Sequence, residues 1–307
     1  MIGVSSAAIS VHGLRKSYGG TEVVRGIDFE VAAGEVFGFL GPNGAGKTTT
    51  IEILEGYRER TDGEVSVLGA DPARPTRPWR ERVGLVLQEC ELDPLLTVTE
   101  TLKLFSAFYS SPRPVSETVD LVGLDEKRDA RAGTLSGGQR RRLDVAVALV
   151  GRPELVFLDE PTTGFDPSAR REAWTMIEGL KAEGTTVFLT THYLDEAQHL
   201  ADRVAILRQG EILAAGPPDE LGQRGTGVSV VSFRLPDGVA PEDVATRAGT
   251  PAERAGALVS LAVDDAQETL WKLTSWARED GLRLEELEVH RPTLEDVFLE
   301  LTGAGHE

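Results

Sequence analysis

The sequence is poor in cysteine and contains no long hydrophobic run. Its single cysteine, Cys90, cannot form a disulfide within the chain, and such sparing use of cysteine is typical of a reducing compartment. No stretch approaches the roughly 20 apolar residues that cross a bilayer. The opening residues, MIGVSSAAIS, also lack the basic and apolar regions of a secretion signal. We therefore expect any membrane association to come through a partner.

Positive charge is scarce as well, because 32 lysines and arginines stand against 50 aspartates and glutamates, a net charge of −18. Nucleic acids and anionic lipid surfaces repel such a protein on average, so we expect no nucleic-acid partner. Hydrophobic residues still make up 40 % of the 307 residues, which is enough for a sizeable core and excludes a disordered chain. This length allows one large domain and a smaller one.

Short apolar runs alternate with helical patterns over most of the first 220 residues. The predicted strands include residues 36–40, 64–68, 83–87, 155–158, 186–189 and 204–207, and the predicted helices include 47–55, 167–183 and 194–200. This alternation predicts an α/β fold in which helices cover a parallel sheet. Residues from about 92 to 150 differ, because helical patterns predominate there, with candidate helices at 101–109, 116–122 and 137–150.

A glycine-rich stretch at residues 222–227 predicts a linker. The patterns beyond it predict strands at 228–235, 257–263 and 283–289 and helices at 265–278 and 294–301, a small α+β domain. We therefore expect a first domain over residues 9–224, with a helical subdomain at about 92–150, and an accessory domain over residues 225–307.

A phosphate-binding loop is the strongest local signal. It has the pattern GxxxxGK[ST] and comprises Gly41, Pro42, Asn43, Gly44, Ala45, Gly46, Lys47 and Thr48, followed by Thr49. Glycines let successive backbone N–H groups point at a polyphosphate, and the following helix adds its positive N-terminal end. Lys47 is expected to reach the β- and γ-phosphates, and the Thr48 hydroxyl to hold Mg²⁺. The loop joins an apolar strand to a helix, as this interpretation requires.

Two adjacent carboxylates, Asp159 and Glu160, end the apolar run at residues 155–158. Beside a phosphate-binding loop, Asp159 can orient Mg²⁺ or its water ligands. Because strand residues alternate between faces, we expect Glu160 to point elsewhere and to polarise the attacking water. Solvated acids at a strand end are the alternative interpretation of this pair.

A second possible anion site lies at Ser136, Gly137, Gly138 and Gln139, which precede three consecutive arginines at 140–142. Ser136 is a good N-cap, and two glycines let a ligand approach the helix start. Taken alone, this pattern is equally that of a capped helix after a flexible turn.

The order of these motifs resembles that of the ABC (ATP-binding cassette) ATPases. Residues 135–139 read LSGGQ and are similar to the ABC signature, between the phosphate-binding loop and the Asp159–Glu160 strand. The other similar positions are Tyr18 (the A-loop aromatic that stacks on adenine), Gln88 (the Q-loop), Asp166 (the end of the D-loop) and His192 (the switch histidine). The resemblance covers about residues 9 to 220.

This resemblance implies a P-loop ATPase core with an antiparallel β-subdomain and a helical subdomain. It implies that two copies sandwich two ATP molecules, each between one copy's phosphate-binding loop and the other's signature. Lys47, Gln88, Glu160 and His192 would then serve catalysis, and Thr48, Gln88 and Asp159 would hold Mg²⁺. ATP hydrolysis would drive a separate integral membrane permease, which places the chain at the cytoplasmic face of the cell membrane.

The sequence RPTLEDVFLELTG at residues 291–303 is similar to the ending of daunorubicin-resistance-type ATPases. That similarity implies export of drugs, lipids or other hydrophobic compounds through a six-helix permease of the type-2 ABC kind. The transported substrate does not follow from it.

The rival hypothesis is an ABC ATPase that is not coupled to transport and acts in translation or DNA maintenance. Translation-factor types carry two cassettes, whereas each motif occurs once here. Genome-maintenance types insert long coiled coils between the phosphate-binding loop and the signature, and no sustained heptads occur in this interval. A kinase-like phosphotransferase would leave the signature unexplained.

Overall fold

The structure is a computed structural model that describes residues 7–86, 91–224, 229–236 and 238–290, together with residues 294, 295, 297 and 298. Backbone contacts divide the chain into two units, with the division between Pro218 and Asp219. Within the described ranges, no helix has the length and apolar character needed to cross a membrane.

The first unit contains nine strands and seven helices within the described residues. The strands are β1 (Ala7–Tyr18), β2 (Thr21–Ala32), β3 (Val36–Leu40), β4 (Asp62–Val67), β5 (Val83–Val86), β6 (Leu155–Asp159), β7 (Thr186–Thr191), β8 (Arg203–Arg208) and β9 (Glu211–Gly216). The helices are α1 (Lys47–Leu54), α2 (Arg77–Glu81), α3 (Val98–Ser106), α4 (Val115–Leu121), α5 (Gly137–Leu149), α6 (Pro167–Ala182) and α7 (Leu194–Leu200).

A six-stranded sheet in the order β5-β6-β7-β3-β8-β9 forms the centre of this unit. The first five strands are parallel, and only β9 runs antiparallel to its neighbour β8. Every residue of β3 and β7 is buried, which explains why neither strand contains a charged residue. The predicted parallel α/β sheet is confirmed, and β3 lies between β7 and β8, so the loop after β3 follows a central strand.

A three-stranded antiparallel sheet in the order β2-β1-β4 packs against the central sheet. Phe29 of β2 lies with its ring centroid 5.7 Å from Phe37, 5.5 Å from Phe39 and 6.2 Å from Phe188. Such aromatic contacts bury large apolar surfaces between the two layers. The antiparallel sheet implied by the family resemblance is therefore present.

The segment from α3 to α5 is predominantly helical and shares a second core with α6 and the other face of the central sheet. Its first helix begins at Val98, earlier than the predicted residue 101, because Thr97 and Glu100 form a capping box. Two 3₁₀ turns, Asp125–Lys127 and Ala132–Thr134, precede α5.

The second unit is a small α+β structure, as predicted. It contains β10 (Ser229–Arg234), α9 (Pro241–Ala248), β11 (Ala252–Ala255), β12 (Leu258–Val263), α10 (Ala266–Glu279) and β13 (Glu285–His290), with an antiparallel sheet in the order β11-β12-β10-β13. Helix α8 (Pro218–Arg224) spans the division between the units. The predicted linker is therefore wrong at residues 222–224, since a proline followed by Asp219 and Glu220 starts a helix there.

Candidate nucleotide site

The phosphate-binding loop joins β3 to α1 in a space that only glycine fits at two positions. A Cβ atom on Gly41 would lie 2.3 Å from the carbonyl oxygen of Leu207. A Cβ on Gly46 would lie 2.9 Å from the carbonyl oxygen of Val23, and the φ of Gly46 is +105°. The packing of this fold therefore requires glycine at positions 41 and 46, whether or not a ligand binds.

Lys47 begins α1 and lies folded over the loop. Its Nζ donates to the carbonyl oxygens of Gly41 at 2.6 Å and Pro42 at 3.2 Å. Burial lowers the pKa of the Lys47 ammonium, while the nearby carboxylates of Glu160 and Asp159 act in the opposite direction. The lysine is thus held close to the two acids that the sequence singled out.

A pocket of about 330 Å³ brings the loop and both acids together. Its lining residues are Val23, Asn43, Gly44, Gly46, Lys47, Thr48, Thr49, Asp159 and Glu160. The carboxylates come from β6, which is two strands away from β3 in the parallel sheet, and the carboxyl ends of these strands share one edge. The geometry suits a polyphosphate that is held by backbone N–H groups and a lysine and faces two acids.

The position of Glu160 corrects the expectation from strand alternation. Asp159 ends β6, and Glu160 has a φ of +46°, so the alternation does not extend to it. Both carboxylates line the same pocket. The Glu160 N–H donates to the carbonyl oxygen of Thr190 at 3.1 Å and to its Oγ1 at 3.2 Å. These bonds from β7 hold a backbone conformation that residues with a Cβ rarely adopt.

His192 follows β7 and contacts Glu160. Its Nδ1 lies 3.4 Å from Glu160 Oε1, and the Glu160 side chain is only 18 % exposed. The ring of His192 packs on Tyr193, with centroids 4.0 Å apart. The other Glu160 oxygen, Oε2, accepts from the hydroxyl of Thr163 at 3.1 Å. Glu160 is therefore oriented from two sides.

Two threonines of this site were not found by sequence reasoning. Thr190 Oγ1 donates to Asp159 Oδ1 at 2.5 Å and also accepts from the Glu160 N–H, and Thr163 contacts Glu160 Oε2. The available signal for Thr190 was a threonine directly after the predicted strand at residues 186–189.

The residues that could hold Mg²⁺ lie in the same pocket. Thr48 and Asp159 both line it, and the bond from Thr190 engages only the Oδ1 oxygen of Asp159. A hydroxyl and a carboxylate beside a phosphate-binding loop are the hard oxygen ligands that Mg²⁺ takes when nucleotide phosphates supply others. The third predicted ligand, Gln88, lies outside the described residues, as does Cys90.

Tyr18 ends β1, is 40 % exposed and does not line this pocket. Two cations approach its ring: Lys16 Nζ lies 4.9 Å and Arg58 Cζ 5.4 Å from the ring centroid. Arg58 is held by Glu52 of α1 at 2.5 Å. The exposed ring of Tyr18 can stack on a nucleotide base. The loop after α1 contributes Arg58 to the surroundings of this ring.

The signature residues lie outside the pocket formed by their own chain's phosphate-binding loop. Ser136 Oγ accepts from the Gln139 N–H at 3.3 Å, and Gln139 Oε1 accepts from the Ser136 N–H at 3.1 Å. Gly137 and Gly138 form the first turn of α5. Asp166 likewise caps α6, accepting from the N–H groups of Ser168 and Ala169. None of residues 136–139 and 166 lines the pocket.

Comparison with known proteins places the chain in a family. Residues 24–163 match the family model described as ABC transporter, and residues 229–293 match the ABC transporter domain-containing protein-like, C-terminal domain. The Nod factor export ATP-binding protein I of Burkholderia orbicola is 39 % identical over 306 residues, covering 98 % of both chains. The daunorubicin resistance ATP-binding protein DrrA3 of Streptomyces coeruleorubidus is 38 % identical over 98 % of this chain and 97 % of its own length.

Solved structures agree with this placement. An ATP-binding subunit of an ABC transporter aligns with a TM-score of 0.65 at 28 % identity, over 72 % of this chain and 93 % of that one. The dimeric structure of MJ0796, a bacterial ABC transporter cassette, aligns with a TM-score of 0.60 at 25 % identity, over 68 % and 98 %. The chain belongs to the ABC transporter family, as an ATP-binding and ATP-hydrolysing subunit of the exporter type.

Proposed function

We propose that Mg-ATP is hydrolysed in the pocket lined by residues 43–49 together with Asp159 and Glu160. The observation that carries this proposal is that Lys47 and both carboxylates line one pocket, with His192 3.4 Å from Glu160. The backbone N–H groups of Gly41 and of residues 43–49 bind the phosphates, and Lys47 transfers its hydrogen bonds from the loop carbonyls to the phosphate oxygens. Thr48, Asp159 and Gln88 hold Mg²⁺, which when bound neutralises phosphate charge.

Glu160 is the group that accepts the proton of the attacking water in this proposal. Its carboxylate is oriented by Thr163 and lies beside His192, so a water between Glu160 and the γ-phosphate would meet an acceptor of fixed direction. His192 and Gln88 complete the site around the transferred phosphoryl group, and Tyr18 stacks on the adenine.

A second copy of the chain completes each site. The signature, Ser136 to Gln139, lies outside its own chain's pocket, yet its capped helix start offers N–H groups suited to a phosphate. The aligned cassette MJ0796 is described as dimeric. We therefore assign residues 136–139 and Asp166 to the ATP that is bound by the partner copy.

ATP binding and hydrolysis by this chain drive a separate membrane permease of the type-2 ABC kind in this proposal. Helix α1 runs from Lys47 in the pocket to a cleft of about 560 Å³ beyond its other end, and the cleft is lined in part by Glu55, Tyr57, Trp79, Phe105 and Tyr109. Tyr57 is 67 % exposed. An aromatic cleft that is joined to the phosphate site by a single helix suits a protein segment whose movement follows ATP binding. In this proposal the chain lies at the cytoplasmic face of the cell membrane.

The relatives suggest the cargo class and the domain roles. They are named for export of Nod factor and for daunorubicin resistance, and we propose that drugs, lipids or other hydrophobic compounds are exported here. Residues 9–224 would form the ATP-binding domain, with a helical subdomain at about 92–150, and residues 225–307 an accessory domain.

Fractionation tests the coupling to a permease. The chain is co-expressed with a six-helix membrane protein encoded beside its gene, and Tyr57→Asp is compared with Leu95→Asp, which changes a residue of similar exposure, 70 %, outside the cleft. The parent and Leu95→Asp should pellet with the membranes, whereas Tyr57→Asp should stay in the supernatant and still bind ATP. A parent chain that sediments with ribosomes or DNA instead would support the rival function.

A further inference from the structure

The three consecutive arginines after the signature have three different surroundings. Arg140 is exposed. Arg142 ties α5 to α6 through an ion pair of 2.7 Å with Glu172. Arg141 extends toward the nucleotide pocket, where its Nη2 donates to the main-chain oxygen of Asp159 at 2.8 Å in a partly buried position. Of these three residues, Arg141 is the one that contacts the backbone of the proposed catalytic acids.

The bond from Arg141 fixes one side of the peptide group that joins Asp159 to Glu160. Thr190 fixes the other side, because it accepts the Glu160 N–H of the same peptide group. Glu160 has a φ of +46°, a conformation unfavourable for a residue with a Cβ unless its surroundings hold it. Rotation of this peptide group would redirect the Glu160 side chain away from His192.

The signature forms the N-terminal end of the same helix. Arg141 lies five residues after the N-cap Ser136, and α5 is continuous from Gly137 to Leu149. At about 1.5 Å of rise per residue, the arginine is on the order of 7 to 8 Å along the axis from the cap. No hinge separates them, so a displacement of the signature is also a displacement of the Arg141 backbone.

We propose that Arg141 is a positioning residue that couples the signature helix to the peptide carrying Glu160. This inference rests on the proposed function, in which the signature of one chain binds the ATP of its partner. Nucleotide bound at the partner's site then draws α5 into place, and Arg141 orients Glu160 of its own chain. In each chain, ATP bound at the partner's phosphate-binding loop would thus control the orientation of that chain's own Glu160.

Steady-state ATP hydrolysis by the purified dimer gives the first test. Arg141→Met keeps the length of the side chain and removes its donors, and it should lower kcat at least tenfold with KM changed less than threefold. Arg141→Lys keeps one charged donor and should recover part of the rate. Arg140→Met is the matched control, with the same change one residue earlier, and should retain the parental rate. An Arg141→Met enzyme within twofold of the parental kcat would overturn the proposal.

Mixed dimers separate positioning of Glu160 from mere support of the signature helix. One chain carries Glu160→Gln, which leaves its loop and signature intact, so that the one hydrolysing site combines the loop and Glu160 of the unchanged chain with the signature of the Glu160→Gln chain. Arg141→Met is then added to either chain. The loss of ATP hydrolysis should be at least fivefold larger when Arg141→Met is in the chain that supplies Glu160. A larger loss in the chain that supplies the signature would show a structural role only.

The outcomes for this inference and for the proposed function remain distinguishable. If Gly138→Asp and Lys47→Ala chains together stay inactive and Glu160→Gln chains do not associate with ATP, the shared site itself is wrong. If both behave as expected and Arg141→Met has no effect, only the coupling is wrong. Should Arg141→Met unfold, the comparison is made with Arg141→Lys, whose parental kcat would equally contradict the proposal.

Discussion

Glu160 is oriented through its backbone and its side chain at once. Thr190 holds its N–H, Thr163 contacts Oε2, and His192 lies 3.4 Å from Oε1. A residue that accepts a proton from water needs such a fixed direction, since geometry decides which proton it can reach.

Replacing Glu160 by glutamine should separate ATP binding from turnover. The amide has almost the same shape but cannot act as a base, so kcat should fall by about 100-fold or more while ATP still binds. Sizing chromatography with Mg-ATP should then show a stable dimer. Glu178→Gln is the matched control, because Glu178 also lies 3.4 Å from a histidine, His199, on the surface away from the pocket. Parental turnover by Glu160→Gln would remove Glu160 from its assigned role.

Glu55, at the C-cap of α1, makes the stability of the protein depend on pH. Burial raises the pKa of its carboxyl to about 8, and the negative charges of Asp159 and Glu52 add to the shift. The folded chain therefore binds a proton that the unfolded chain has released, and this acid destabilises the fold increasingly as pH rises from about 4.5 to about 8.

Glu55→Gln should remove that pH dependence. The variant and the parent should be similarly stable at pH 5, and at pH 8 the variant should be more stable by on the order of 2 to 4 kcal/mol, at about 1.4 kcal/mol per unit of pKa shift. Urea unfolding at both pH values measures the difference. Glu30→Gln, in an exposed position of β2, should show no such change between the two pH values. An equal effect of Glu55→Gln at pH 5 and pH 8 would mean that Glu55 is charged throughout.

At the scale of elements, the loop between β3 and α1 is shaped by its packing as well as by its ligand. Gly44 and Gly46 both have positive φ, +79° and +105°, but only Gly46 faces a backbone atom, the carbonyl oxygen of Val23. Gly44→Ala should cost about 1 kcal/mol of unfolding free energy through φ alone. Gly46→Ala should cost about 1 to 3 kcal/mol more, because the backbone of β2 must also move. Denaturation without nucleotide measures both losses of unfolding free energy. Equal losses for Gly44→Ala and Gly46→Ala would show that the contact with β2 is unimportant.

The elements that bear this loop and the acids were predictable because their patterns are unambiguous. The runs that became β3, β6 and β7 are mostly apolar and end at polar or glycine residues, as buried parallel strands do. Strand β9 and helix α9 were missed. The edge strand β9 is only partly buried and contains two alanines, and α9 is a short helix between prolines and glycines. Their structure depends on neighbours that a local pattern does not reveal.

The residue types of the site could be predicted, whereas part of its geometry could not. The sequence indicated Lys47, Asp159, Glu160 and His192, and the structure brings them together. The predicted direction of the Glu160 side chain was wrong, because its φ depends on hydrogen bonds that the Glu160 N–H donates to Thr190, 30 residues away in the chain. Arg141 could not be distinguished from its two arginine neighbours until α5 was placed beside β6.

At the scale of the whole molecule, the two proposed half-sites of each chain do not meet. The phosphate-binding loop, Asp159 and Glu160 line one pocket, and Ser136 to Gln139 lie outside it. ATP that is bound more tightly in a closed dimer than in separate chains would supply the energy difference that moves a permease, and hydrolysis would remove it. The central question is therefore whether the phosphate-binding loop of one chain and the signature of the other bind the same ATP.

Complementation between two inactive chains measures this directly. Lys47→Ala removes the loop ammonium, and Gly138→Asp places a carboxylate where a phosphate should bind, so each variant alone should be inactive. In the mixed dimer, one site joins the intact loop of the Gly138→Asp chain to the intact signature of the Lys47→Ala chain. ATP hydrolysis by the co-purified mixture should recover to a measurable fraction of the parental rate. If loop and signature served one ATP within a single chain, the mixture would stay as inactive as its components, and crosslinking would show no ATP-driven closure.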